Sequence, residues 1–448
     1  MQNHRLIGFG IACVFLLSSI SCSNDDSSNV PLLDDVIIGD NDSIPDPVDI
    51  PAKLGDVEFL NPGLVSNDLI LVNDASANRA FIMDKQAMLW YEWELSNNIG
   101  NDVFLLPDAR LLASLESDNP IVPFGGKGGR LQFVDKDGNI EWDYIYSTPD
   151  AETHHDAELL PNGNVIAMVW AKRTADEVVA AGSKYDTIIY TEAIIEIDPS
   201  TDEIVWEWHD WDHMVQDFDD SKDNFGVIAD NPQLIDLNYI PDNGGWPQAT
   251  GDLTHANAIA YDEVNDVIFL SVNFYSEVWV IDHSTTTEQA AGHTGGNYGK
   301  GGDLIYRFGN PETYDNLQGT RLFYSQHFPN PLKGDDQGKM LIFSNGNNRG
   351  QSAVYEFQLP ENYALLPNTD NEPEILWEFT DPDLFAARVS GAVPLSNGNI
   401  LITEGDYGFW EVTRDKEVVW KFEGDGFYWR GYSYNRGAPE IGALGLTF

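Results

Sequence analysis

Three histidines occupy one register of a degenerate internal repeat. The segments Thr153-His154-His155-Asp156-Ala157-Glu158-Leu159-Leu160, Thr254-His255-Ala256-Asn257-Ala258-Ile259-Ala260-Tyr261 and Ser325-Gln326-His327-Phe328-Pro329-Asn330-Pro331-Leu332 each place a histidine five residues before an apolar one, ahead of a β-rich run. The chain has nine histidines in 448 residues, so three in register are poorly explained by scatter. Equivalent positions of a closed repeat fold converge on one axis. His155, His255 and His327 are therefore expected to share a site. A neutral imidazole can act as a nucleophile. A second, near its ordinary pKa of about 6.5, can give or take a proton at neutral pH. Three imidazoles can also bind zinc, but no carboxylate shares the register and only Asp156 adjoins it, so no metal is expected there. The plainer alternative is a watery channel filled by hydrogen-bonded histidines.

These residues need a scaffold of short strands. A β-run ending in a polar turn and followed by a tryptophan strand recurs from Phe81 to Trp90, Phe133 to Trp142, Ile195 to Trp206, Tyr355 to Trp377 and Trp410 to Trp420. In the unit at Val280, Tyr306 takes the tryptophan place after a Gly-rich insertion. Hairpins with Asn-Gly turns at Asn162-Gly163 and Asn397-Gly398 complete the units, since both central residues of such a turn accept positive φ. The last unit lacks an evident second half, and Leu64 to Ile70 supplies a match. This predicts an all-β, six-bladed β-propeller of four-stranded blades with N-terminal strand closure, residues 57–73 pairing with the blade of Trp410 and Trp420. Five and seven blades are the alternatives. On this alignment the inner ring reads Phe59, Asn101, His155, His255, His327 and Ser390.

The N-terminus precedes the fold. His4 and Arg5 lead an apolar run, Leu6 to Ile20, that ends in Ser21-Cys22. Fifteen residues are too few for a confident membrane span. The pattern reads as a lipoprotein signal over residues 1–22 with Cys22 as the lipidated residue. Residues 23–54 form an acidic tether; Ser23 to Ile50 holds eight Asp and no Lys or Arg, a composition that stays disordered. Residues 55–448 form the propeller. The mature chain then has no cysteine pair, because Cys13 leaves with the signal. The expected location is the outer membrane, by a lipid anchor, facing the periplasm or the cell surface. The net charge is −49, which excludes nucleic acid as a partner because phosphate binding needs a basic stripe.

Other motifs carry less. His209 and His213 are four apart and could meet a metal, but read as an exposed loop. Asp217, Asp219, Asp220 and Asp223 lack the glycine and glutamate of a calcium loop. The Gly-rich stretches at 125–129 and 295–302 do not join a strand to a helix and are not phosphate loops. No serine elbow occurs.

The chain resembles the bacterial aryl-sulfate sulfotransferases over roughly residues 55 to 425. The resemblance rests on Asp252-Leu253-Thr254-His255-Ala256-Asn257, His154-His155-Asp156, Gln326-His327 and Leu304-Ile305-Tyr306-Arg307-Phe308-Gly309. The segment from Glu277 to Ser284 and His293-Thr294-Gly295-Gly296 also looks familial. It implies a six-bladed propeller that moves a sulfuryl group from an aryl sulfate to a phenol without a nucleotide donor or cofactor. His327 would be the nucleophile, through a sulfohistidine. His255 and His155 would bind sulfuryl oxygens and handle the phenol proton, with Asn257 and Ser390 as further substrate contacts. The family's sulfate-binding arginine falls at Asn273 here, and its disulfide is missing. Arg307, Arg349 and Arg388 are the candidate replacement cations, with Arg349 expected to fill the role. The competing reading is a non-catalytic cell-surface propeller that binds an aromatic or sulfated ligand.

Overall fold

The computed structural model describes residues 53–241 and 250–448. Cys22, the signal and nearly all of the tether lie outside them. Six antiparallel sheets form the blades. Blade 1 contains Leu69–Asp74, Arg79–Met83 and Leu89–Glu94; blade 2 runs from Ile99–Leu105 to Ile140–Ile145 and blade 3 from Ala151–Leu159 to Glu203–His209. Blade 4 runs from Ala256–Asp262 to Tyr306–Phe308, blade 5 from Gln326–Pro331 to Glu374–Phe379, and blade 6 from Gly391–Pro394 to Val418–Glu423. The innermost strands touch their neighbours in a closed ring. Among the described residues, no helix is long and apolar enough to cross a membrane.

Closure uses both ends of the chain. Asp56–Leu60 pairs with the Trp420 strand as a fifth, outer strand of blade 6, as expected of the N-terminus. Leu69–Asp74 does not follow it. It belongs to blade 1, whose innermost strand is the C-terminal Tyr428–Tyr434. Blade 6 supplies its own inner pair, Gly391–Pro394 and Ile400–Glu404. The sixth inner position therefore belongs to the 428–434 strand. Phe59, aligned there from sequence, lies on the outer edge at 46% exposure. A blade is covered on both faces, so its middle strands are mostly apolar and Leu69–Asp74 and Val267–Val272 are buried at every position. Outer strands alternate with solvent, as in Ile140–Ile145.

The tryptophan repeat is a clasp between blades. Trp142 donates to Asp202, Trp206 to Thr285, Trp377 to the Arg414 carbonyl and Trp420 to the Lys85 carbonyl, each reaching the next blade. Tyr306, in the tryptophan place, reaches the Asn371 carbonyl. In blade 1 the bulge between Ile82 and Met83 puts Tyr91 opposite Ile82, and its hydroxyl reaches the Lys136 carbonyl. Trp90, assigned this place from sequence, instead donates to Asp84 in its own blade. The Asn-Gly turns end in Gly163 and Gly398 at φ +91° and +86°, the positive φ that such turns require.

Candidate active site

The histidine register coincides with a bulge register. On five inner strands the pairing slips at the same depth: at Gly100 to Asp102, His155-Asp156, Asn257, Phe328-Pro329 and Trp429-Arg430. A bulge bends its strand and re-aims a side chain. His155, His255 and Phe328 have φ of +50°, +46° and +55°, conformations that non-glycine residues seldom adopt. Blade 6 has Val389 and Ser390 at φ +50° and +86° just before its inner strand. His155 and His255 meet at 5.0 Å between ring centroids.

His327 is buried and held by both ring nitrogens. Asn345 donates its amide hydrogens to the carbonyls of Ala386 and Val389, which leaves its Oδ1 to accept from His327 Nδ1–H at 2.6 Å. His327 Nε2 accepts the Val389 N–H at 3.1 Å. The ring is thus the Nδ1–H tautomer, with its lone pair on Nε2. Burial pushes its pKa down to about 3, helped by the charges of His255 and Arg430 and opposed by the Asn345 hydrogen bond. A neutral ring with an unprotonated Nε2, its lone pair here engaged only by the Val389 N–H, is what a nucleophile requires.

His155 ends a buried proton row. His154 Nε2 lies 2.8 Å from Glu192 Oε2, and His154 Nδ1 lies 2.8 Å from His155 Nδ1. Trp170 stacks on His154 at 3.9 Å, 2° from parallel. Glu192 Oε1 accepts from the Thr254 hydroxyl and the Ala256 N–H, each at 2.9 Å, which fixes the carboxyl. Two proton arrangements satisfy the row. With Glu192 protonated, it donates to His154 Nε2, His154 Nδ1–H donates to His155 Nδ1, and His155 carries its proton on Nε2. With Glu192 ionised, both hydrogen bonds reverse and His155 Nε2 becomes a lone pair. Burial raises Glu192 to about 8. Burial, then the charge of His255, holds both imidazoles well below their ordinary value. The protonated arrangement therefore prevails at neutral pH, and His155 Nε2–H is a donor. A Cβ on Gly126, at φ +79°, would sit 2.2 Å from that nitrogen, so glycine keeps this edge of the ring open.

His255 has the opposite character. Its Nδ1–H donates to Asp252 at 2.6 Å, and Phe274 stacks on it at 4.8 Å. Burial lowers its pKa, but the charge and hydrogen bond of Asp252 outweigh this and leave it raised. The site thus sets an imidazole of raised pKa beside two whose pKa is lowered.

Asn257 and Asn273 both direct their amides at the Gln326 carbonyl, at 2.7 and 3.0 Å. They hold the backbone next to His327, and Asn257 Oδ1 is buried without a partner. The Ser390 hydroxyl is engaged between the Arg388 carbonyl and the Gly405 N–H. The candidate cations are engaged with other groups. Arg349 is exposed on the face of Tyr324. Arg388 lies on Phe427 and pairs with Asp406. Arg307 is buried against Glu277. The buried cation beside the histidines is Arg430. It pairs with Asp156 at 2.8 Å and Asp102 at 3.4 Å, and lies over Phe328. Burial disfavours its charge, but the two carboxylates outweigh burial and hold it protonated. It escaped the sequence alignment because the 428–434 strand was not placed in blade 1. Glu192 carried one signal, an acid inside the apolar run Ile189–Asp198; Asn345 carried none.

The inner strands of this propeller thus gather a neutral imidazole with an unprotonated Nε2, a proton-bearing imidazole and an imidazole of raised pKa. The arylsulfotransferase (ASST) family matches residues 60–425, and the chain belongs to that family. It is a sulfotransferase, and the family implies aryl sulfate and phenol as substrates. No curated protein matches the chain. Among solved structures it is similar to a protein of unknown function from Bacteroides caccae, with 14% identity and a TM-score of 0.47, covering 83% of this chain and 100% of that one. It is also similar to hydrazine synthase from Kuenenia stuttgartiensis, with 14% identity and a TM-score of 0.34, covering 63% and 65%. Neither likeness is close enough to bear on function.

Proposed function

We propose that the protein transfers a sulfuryl group from an aryl sulfate to a phenolic acceptor through a sulfohistidine on His327, without a nucleotide donor. The observation that carries this reading is the tautomer of His327, with Asn345 on Nδ1 and the lone pair on Nε2. His327 Nε2 attacks sulfur; the N–S bond forms as the S–O(aryl) bond breaks. The departing phenolate takes the proton of His155 Nε2, and the row shifts so that Glu192 becomes the carboxylate. In the second half, the acceptor phenol returns a proton to His155 Nε2 while its oxygen takes the sulfuryl group from His327. Charge grows on the peripheral oxygens of such a loose transition state, so preorganised cations and donors provide most of the catalysis. The His255 imidazolium supplies that charge at the mouth. The Val389 N–H, released from Nε2, can turn to a sulfuryl oxygen. Asn257 and Asn273 act on His327 through the Gln326 carbonyl.

Position 273 carries asparagine rather than arginine, which favours capture of an aryl sulfate without turnover as the second reading. Incubation with p-nitrophenyl sulfate, with and without phenol, separates them. Nitrophenol release accelerated by phenol, with phenyl sulfate formed, supports transfer; binding with no release supports capture. We further propose anchoring to the outer membrane through lipidated Cys22, which metabolic labelling with a fatty acid and Cys22→Ala would test.

A further inference from the structure

We infer that His213, His293 and Asp303 form a binding site for a divalent transition-metal ion of the zinc type, outside the channel. His213 and the Gly-rich stretch at 293–303 are far apart in sequence and meet here. One ligand atom from each residue lies within 4.8 Å of the other two. His213 Nδ1 is 2.9 Å and His293 Nδ1 2.7 Å from the same Asp303 oxygen.

The proton inventory of His213 carries the argument. The ring is fully buried, stacked parallel to Trp208. Its Nε2 faces the Ala290 carbonyl at 2.9 Å, so Nε2 must be the N–H. Nδ1 of a neutral ring is then a lone pair, yet it faces a carboxylate oxygen. Two acceptors in contact require a proton between them, on the ring or on the carboxyl, or a metal cation. His293 brings a third donor atom to the same point. A ring N–H bonded to a backbone carbonyl, with the other nitrogen turned to the ion, is the usual arrangement of a metal-binding histidine. Two imidazoles and one carboxylate suit zinc and exclude calcium and magnesium, which take oxygen ligands. His293 is 61% exposed, so water can complete the coordination.

The surrounding loop is shaped to this cluster. The Gly302 carbonyl accepts from Trp208, and a Cβ on Gly302 would lie 2.5 Å from His213 Nε2. The glycines let the 293–303 segment close over His213. A bound ion would tie this segment to the 210–213 turn. His209 does not join the cluster; its Nε2 faces Glu207 at 3.3 Å. None of the three ligands hydrogen-bonds a residue of the histidine mouth.

The test uses the full chain, dialysed against a chelator and titrated with cobalt and zinc by calorimetry and visible absorption. One ion per chain is expected at this site, with the d–d bands of four- or five-coordinate cobalt and a melting temperature raised by zinc. His293→Ala removes an exposed side chain and should leave the metal-free melting temperature unchanged. It should weaken binding at least about 100-fold, since even outer partners of a metal site cost 10–100-fold. Asp303→Asn should do the same, and His209→Ala should not. Absence of stoichiometric binding, or binding unchanged in His293→Ala, would overturn the inference. So would binding lost in His255→Ala instead, which would place the ion among the channel histidines.

Discussion

Replacing Glu192 by glutamine locks the proton row in one direction. The Thr254 hydroxyl and the Ala256 N–H both donate to Glu192 Oε1. The glutamine carbonyl must take that place, which turns the amide NH2 to His154 Nε2. His154 then donates from Nδ1 to His155, and the His155 proton stays on Nε2. Releasing it would leave an imidazolate, because the introduced amide has no acidic proton to pass along. The Glu192→Gln variant keeps the shape of the row and loses its acid–base function. Such a function contributes about 10²- to 10⁴-fold, or about 3 to 5 kcal/mol of barrier at 1.36 kcal/mol per tenfold. The assay is kcat/KM of the donor, in transfer to one fixed naphthol acceptor, for aryl sulfates of graded leaving-group pKa. p-Nitrophenyl sulfate leaves with little protonation and should lose least; phenyl sulfate should lose most. A loss equal for all donors would mean that Glu192 only supports the fold. Unchanged rates would remove it from the proton path altogether.

Three further outcomes follow from the same geometry. His327→Ala should abolish transfer and the sulfuryl mass on the peptide containing residue 327 in enzyme quenched with donor alone; a label on another residue would refute the nucleophile. His255 has a raised pKa, so its imidazolium persists to higher pH than that of a free imidazole and is lost as pH rises through the raised value. Its stabilising contribution is full below the unfolded value of about 6.5 and disappears over the same rise. KM for the anionic donor should therefore climb in that alkaline window in the wild type and lose this dependence in His255→Gln. Arg430→Met leaves Asp102 and Asp156 buried without their cation, and should cost about 3 to 5 kcal/mol in urea denaturation; a change under about 1 kcal/mol would show that the pair is dispensable.

The sequence determined what depends on local pattern. Strand alternation, Asn-Gly turns and aromatic punctuation specify blades and their number, because each blade repeats the same burial problem. The three histidines were legible for the same reason: a bulge repeated at one depth leaves a repeated residue. Tertiary structure decided what depends on which chain segments become neighbours. The C-terminal strand completes blade 1 by pairing with the first strand of the ring, Tyr434 opposite Leu69, which no local pattern encodes. That pairing brings Arg430 to Asp156 and makes it the buried cation at the site. The ionic character of each imidazole was likewise invisible. His155, His255 and His327 are the same residue in the same register. They differ because Glu192 acts on the first through His154, Asp252 faces the second and Asn345 the third, and burial makes each partner decisive for where the proton resides.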